Sequence, residues 1–140
     1  MNVAIVGSDY NFILNLGKSL AKVLCLKVLN IKEDLNEFLI NSNLPLTIEN
    51  EIYNYLENNC VNNFSNLNNS ILIIPEDIYF SNCNYELLKN HILIIINSKN
   101  DKKIQLKLKK LIKNTKKIEI NQENYELNEI IKVIRGYYDR

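Results

Sequence analysis

Two unbroken aliphatic runs, Ile71-Leu72-Ile73-Ile74 and Ile92-Leu93-Ile94-Ile95-Ile96, constrain this chain more than any other feature. Successive side chains on a strand point to opposite faces, so a strand with one wet face alternates apolar and polar residues. A continuous β-branched run instead needs apolar cover on both faces, which a parallel sheet between helices supplies. Val3-Ala4-Ile5-Val6, ended by Gly7, has the same character, and Lys27-Val28-Leu29-Asn30-Ile31 and residues 117–120 are weaker versions. Helical periodicity fills the intervals. It runs over residues 9–24 through Ile13, Leu16, Leu20, Val23 and Leu24, over residues 33–40, and onward from Thr47 through Ile48, Ile52, Tyr55 and Leu56. Residues 85–90 form a short helix, and Ile104, Leu108, Leu111 and Ile112 mark an amphipathic one. The last helix, residues 123–138, turns Leu127, Ile130, Ile131 and Ile134 inward, with Gly136 as its candidate C-cap. The expected fold is α/β: one three-layer α/β/α domain over residues 1–140 with a five-stranded parallel sheet.

Composition narrows the function. With 46% hydrophobic and 24% charged residues, wholesale disorder is excluded. Cys25, Cys60 and Cys83 are odd in number and form no C-x-x-C pair, which argues against a disulfide framework or zinc cluster and for reduced thiols in the cytoplasm. No apolar stretch approaches the roughly 18 residues of a membrane span, and the start lacks a basic leader. The two arginines, Arg135 and Arg140, fall in the last six residues, so the body of the chain cannot build an arginine clamp for an anion. His91, the one histidine, precedes a strand and reads as structural. The 25 Asn and 21 Ile suit an A/T-biased coding sequence, so asparagine clusters carry no functional weight here.

Charge is unevenly spread. Residues 99–117 hold nine lysines and one acid, Asp101, for a local +8; the chain totals +1, so the remainder carries −7. Lys103, Lys107, Lys110 and Lys113 form the basic surface. No arginine or aromatic residue is interleaved to stack on bases, so a solvated helix face is favoured and nucleic acid is disfavoured as a partner.

In a sheet of this kind ligands bind beyond the carboxyl ends of the strands, after Val6, Ile31, Ile74 and Ile96. A P-loop there would need glycine after the first strand and then G-K-[ST], so that backbone amides and a lysine enclose phosphates. Gly7 fits the first position, but Gly-Lys-Ser would fall on Phe12, Ile13 and Leu14. Gly17-Lys18-Ser19 lies two to three turns too far along the helix, where amides are committed to i→i−4 bonds, and is a decoy.

Aligned from Gly7, the stretch from Gly17-Lys18-Ser19-Leu20-Ala21 through Leu24-Cys25-Leu26-Lys27-Val28-Leu29-Asn30-Ile31-Lys32 resembles the first helix and second strand of shikimate kinases, G-x-x-L-A-x-x-L-G-L-x-F-x-D-x-D. Glu86-Leu87-Leu88-Lys89 is similar to the family's E-L-L-K segment, and residues 71–96 and the last helix match its framework. The resemblance implies a P-loop-kinase-like fold with a lid shortened to the one basic helix. It also implies Mg·ATP and shikimate as ligands, but the chemistry departs from the family pattern. Ile13 and Leu14 replace the P-loop Lys and Ser, Asn30 and Lys32 replace the Asp pair, and Pro75-Glu76-Asp77 replaces a Gly-Gly-Gly turn.

The expectation is therefore a catalytically inactive shikimate-kinase-like protein that binds a partner or ligand, with no cofactor and no metal. Its candidate pocket comprises Gly7, Ser8, Asp9, Asn11, Asn30, Lys32, Glu76 and Asp77, of which Glu76 and Asp77 could cluster with Lys32. Asp9 also reads as an ordinary first-turn helix acid. Alternatives are a divergent shikimate or small-molecule kinase using Mg·ATP and recruiting Lys18, Lys32 or a basic-helix lysine, and an adaptor for nucleic acid or an acidic partner acting through the basic helix. A homodimer through Tyr53, Tyr55, Tyr79, Tyr137 and Tyr138 is also open.

Overall fold

The computed structural model describes residues 1–41, 68–75, 91–97 and 116–138. In chain order the elements are β1 (Asn2–Gly7), α1 (Tyr10–Leu24), β2 (Lys27–Asn30), α2 (Ile31–Asn41), β3 (Ser70–Pro75), β4 (Ile92–Asn97), β5 (Lys117–Asn121) and α3 (Leu127–Tyr138). All the strands pair in parallel in one sheet of order β2-β3-β1-β4-β5. The chain thus leaves β1 to one side, returns through β3, and crosses to the other side for β4. That reversal places the crevice beyond the paired ends Gly7 and Pro75.

The aliphatic runs meet their expected cover. On one face Val3, Ile5, Ile71, Ile73, Ile92, Ile94, Ile96 and Ile120 pack with Ile13, Leu16, Leu20 and Ala21 of α1 and Ile130, Ile131 and Ile134 of α3. The alternate residues Ala4, Val6, Leu72, Ile74, Leu93 and Ile95 are buried as well, so the sheet is covered on both sides. Gly17 lets α1 come close: a Cβ there would stand 2.4 Å from Ile73 Cδ1. The glycine of the apparent Gly17-Lys18-Ser19 motif is thus a packing residue, and Lys18 and Ser19 are exposed on the helix.

Several expectations need correction. β2 ends at Asn30, and α2 starts at Ile31, not at residue 33. The last helix starts at Leu127, because residues 121–124 form a turn closed by an Asn121–Asn124 bridge. Gly136 lies inside that helix, with no positive φ, and is no C-cap. Val23, assigned to the core stripe, is 45% exposed. The helices expected at residues 47–56 and 85–90, the lid, and all of the basic segment before Lys116 fall outside the described residues.

The end of α1 is strained. Its C-cap, Cys25, has φ 56° and ψ 44°, and its N–H donates to the Ala21 carbonyl. This is the left-handed cap that glycine normally supplies, and the shikimate kinase pattern has glycine there. Cys25→Gly is expected to raise unfolding free energy by about 0.5–1 kcal/mol, the relief of strain exceeding the added freedom of the unfolded chain. A urea melt with an unchanged or lower midpoint would contradict this.

Candidate functional site

The connection after β1 is very short. Only Ser8 and Asp9 separate Gly7 from the first residue of α1. Asp9 is the helix N-cap, not a first-turn acid as expected: its Oδ1 accepts the Phe12 N–H at 3.2 Å, and its carbonyl accepts the Ile13 N–H at 3.0 Å. Phe12, Ile13 and Leu14 therefore belong to the helix from its first turn. Gly7 is needed because the chain packs tightly on itself. A Cβ at this position would meet Ile13 Cγ2 at 2.7 Å and Ile96 Cβ at 3.1 Å. The bare face of Gly7, which in a P-loop opens onto phosphate, is filled by an isoleucine side chain that is 0% exposed.

Two further ties cross the carboxyl edge. Asp9 Oδ2 accepts a 2.8 Å bond from Gln122 Nε2, and the Gln122 N–H donates to the Asn97 carbonyl at 3.1 Å. The loop after β1, the end of β4 and the turn after β5 are thereby joined. At the opposite side Asn30, buried to 8% exposure, caps α2: its Oδ1 accepts the Glu33 N–H at 3.2 Å. Its Nδ2 donates to the Tyr10 hydroxyl at 2.6 Å, with Glu33 Oε2 at 3.5 Å. Lys32 places Nζ 4.7 Å from the centre of the Tyr10 ring. A cation over a tyrosine face contributes about 0.5–1 kcal/mol at a surface. Lys32 thus has an aromatic neighbour on α1, while Glu76 and Asp77, expected beside it, lie outside the described residues.

The structure brings Gly7, Ser8 and Asp9 together at the first turn of α1 and leaves Asn11 exposed on that turn. Asn30 and Lys32 converge on Tyr10. The basic-surface lysines Lys103, Lys107, Lys110 and Lys113 lie outside the described residues. Tyr10, Glu33 and Gln122 were absent from the expected set. Glu33 was detectable from its spacing to Asn30, a capping-box pattern. Gln122, which meets a residue 113 positions away, had no local signal.

No protein-family model and no curated protein matches the sequence. Solved structures do. The shikimate kinase of Aquifex aeolicus superposes with a TM-score of 0.69 at 12% identity, covering 99% of this chain and 96% of that one. The fold is that of the shikimate kinases. The enzyme from Acinetobacter baumannii, solved in complex with shikimate, gives 0.66 at 16% identity over 98% of this chain and 92% of its own. That from Bacteroides thetaiotaomicron gives 0.66 at 12% over 99% of each. The shikimate kinase fold is thus kept at nearly full length while most side chains differ. No helix among the described residues is long and apolar enough to cross a membrane.

Proposed function

We propose that this chain is a shikimate-kinase-fold protein that does not transfer phosphate and works by binding a protein partner or a ligand other than Mg·ATP. The observation that carries this reading is Ile13 seated against Gly7, on a helix that begins two residues after the strand. A phosphate cradle needs a loop of free amides and a cation. Here the Phe12 and Ile13 amides are bound to Asp9, and the cradle volume is occupied by hydrocarbon. The residues present therefore do not fit a triphosphate and its magnesium. Asn30, which replaces an acid of the shikimate kinase pattern, is engaged as a cap and by Tyr10.

Magnitudes favour the same conclusion. A single cationic group on a transferring phosphoryl is worth roughly 10³-fold or more in rate. Hydrocarbon in place of several such groups leaves triphosphate charge desolvated without compensation. The test is a coupled ADP-release assay with shikimate and Mg·ATP, run beside a titration with a fluorescent ATP analogue. Neither turnover nor saturable binding is expected. Turnover above background would instead establish a divergent kinase.

A further inference from the structure

β5 is an outer strand, with β4 its one neighbour among the described residues. The Leu93 N–H donates to the Lys116 carbonyl at 2.9 Å, and the Gln122 N–H donates to the Asn97 carbonyl at 3.1 Å. Residues of even number along this strand therefore turn their backbone groups toward β4, and the N–H and C=O of Lys117 and Glu119 face outward. Beside this edge lies a cavity of about 210 Å³ between β5 and α3, lined by Ile118, Tyr125, Ile130 and Val133 and by the acids Glu126 and Glu129 among others. Tyr125 and Val133 are each 42% exposed.

We propose that two copies of this chain pair β5 against β5, antiparallel, about a two-fold axis at Ile118, joining their five-stranded sheets into one. The argument is charge complementarity along the edge. Lys117 and Glu119 project from one face, with Nζ and Oε1 4.0 Å apart and side chains 41% and 44% exposed. In the proposed register Lys117 lies opposite Glu119 of the second copy, and the axis repeats the pair. Both residues carry outward backbone groups, so each pair exchanges two N–H···O bonds, and Ile118 meets Ile118 at the closer position between them.

Centring the axis on residue 117 or 119 would set lysine against lysine or glutamate against glutamate. Among the registers centred on residues 117, 118 and 119, the charge pattern thus selects the middle one. A lone lysine on an edge ordinarily discourages pairing. Here the glutamate two residues on makes the edge self-complementary, as an isologous interface requires. The second copy also covers apolar surface of Ile118, Tyr125 and Val133.

The experiment is sedimentation velocity over a wide concentration series. The wild-type chain is expected to dimerise. Lys117→Glu and Glu119→Lys should each weaken association about tenfold or more, because each sets like charges face to face. The exchanged variant, with both substitutions, should recover wild-type association. Glu119→Pro removes an outward donor and no bond to β4, so it should abolish the dimer while far-UV circular dichroism stays unchanged and the melting temperature matches that of wild type diluted to monomer. A wild-type chain monomeric throughout would overturn the proposal. So would a dimer indifferent to these substitutions, or an exchanged variant that fails to recover.

Discussion

Ile13→Lys, which installs the lysine that a P-loop counted from Gly7 would require, is expected to unfold the protein and to create no phosphate site. Ile13 is fully buried and touches the strand end at Gly7. Removing its side chain costs about 2–5 kcal/mol in lost transfer and cavity energy. Burying an ammonium among hydrocarbon adds several kcal/mol, since among the described residues no free acid stands beside Ile13 to pair with it: Asp9 is held by Phe12 and Gln122. The sum is comparable to the roughly 5–15 kcal/mol that holds a domain together. Urea titration followed by circular dichroism should show Ile13→Ala folded with a lowered midpoint and Ile13→Lys largely unfolded without denaturant. A folded Ile13→Lys variant that binds an ATP analogue would show instead that the loop can reopen. Gly7→Ala provides an internal check. Its added methyl clashes with Ile13 in the native chain, so it should destabilise less in an Ile13→Ala background than alone.

This contact explains which parts of the site were legible in the sequence and which were not. The strands were legible because Ile71 to Ile74 and Ile92 to Ile96 have one physical solution, cover on both faces, and both faces are buried. That a P-loop counted from Gly7 would need Gly-Lys-Ser where Phe12, Ile13 and Leu14 stand was also legible. The consequence was not, because a motif scan reports what a position lacks but not what fills the space. Asn30 ends β2 and Lys32 lies in the first turn of α2, and the Tyr10 that both meet was missed. An aromatic residue near a helix start carries the same local signal whether it packs in a core or presents its hydroxyl to an amide. β2 was placed one residue too long for a related reason. Ile31 continues an apolar run, but the Asn30 side chain caps the amide of Glu33 and converts that residue into the first turn of a helix. Contacts such as Asp9 to Gln122 depend on the closed sheet, and no local pattern encodes them.

Acid should destabilise this protein through His91. The imidazole is 2% exposed, at the head of β4, and neither ring nitrogen finds a hydrogen-bond partner among the described residues. Burial disfavours the charged form and holds the His91 pKa below its ordinary 6.5. Above about pH 6.5 the side chain is neutral whether the chain is folded or not, and it contributes no pH dependence. As pH falls through that value the unfolded chain takes up a proton that the folded chain refuses, so unfolding is favoured. Stability should decline by up to about 1.4 kcal/mol per pH unit until the depressed folded pKa is reached. His91→Leu removes the titrating group and two buried nitrogens that find no partner among the described residues. It should be about 1 kcal/mol more stable at neutral pH, and the advantage should widen as pH drops. Urea midpoints for both proteins between pH 5 and 8 measure the difference, in which the carboxylates common to both chains cancel. Parallel profiles would mean that the folded protein accommodates the imidazolium, and that His91 has an acceptor the buried geometry does not provide.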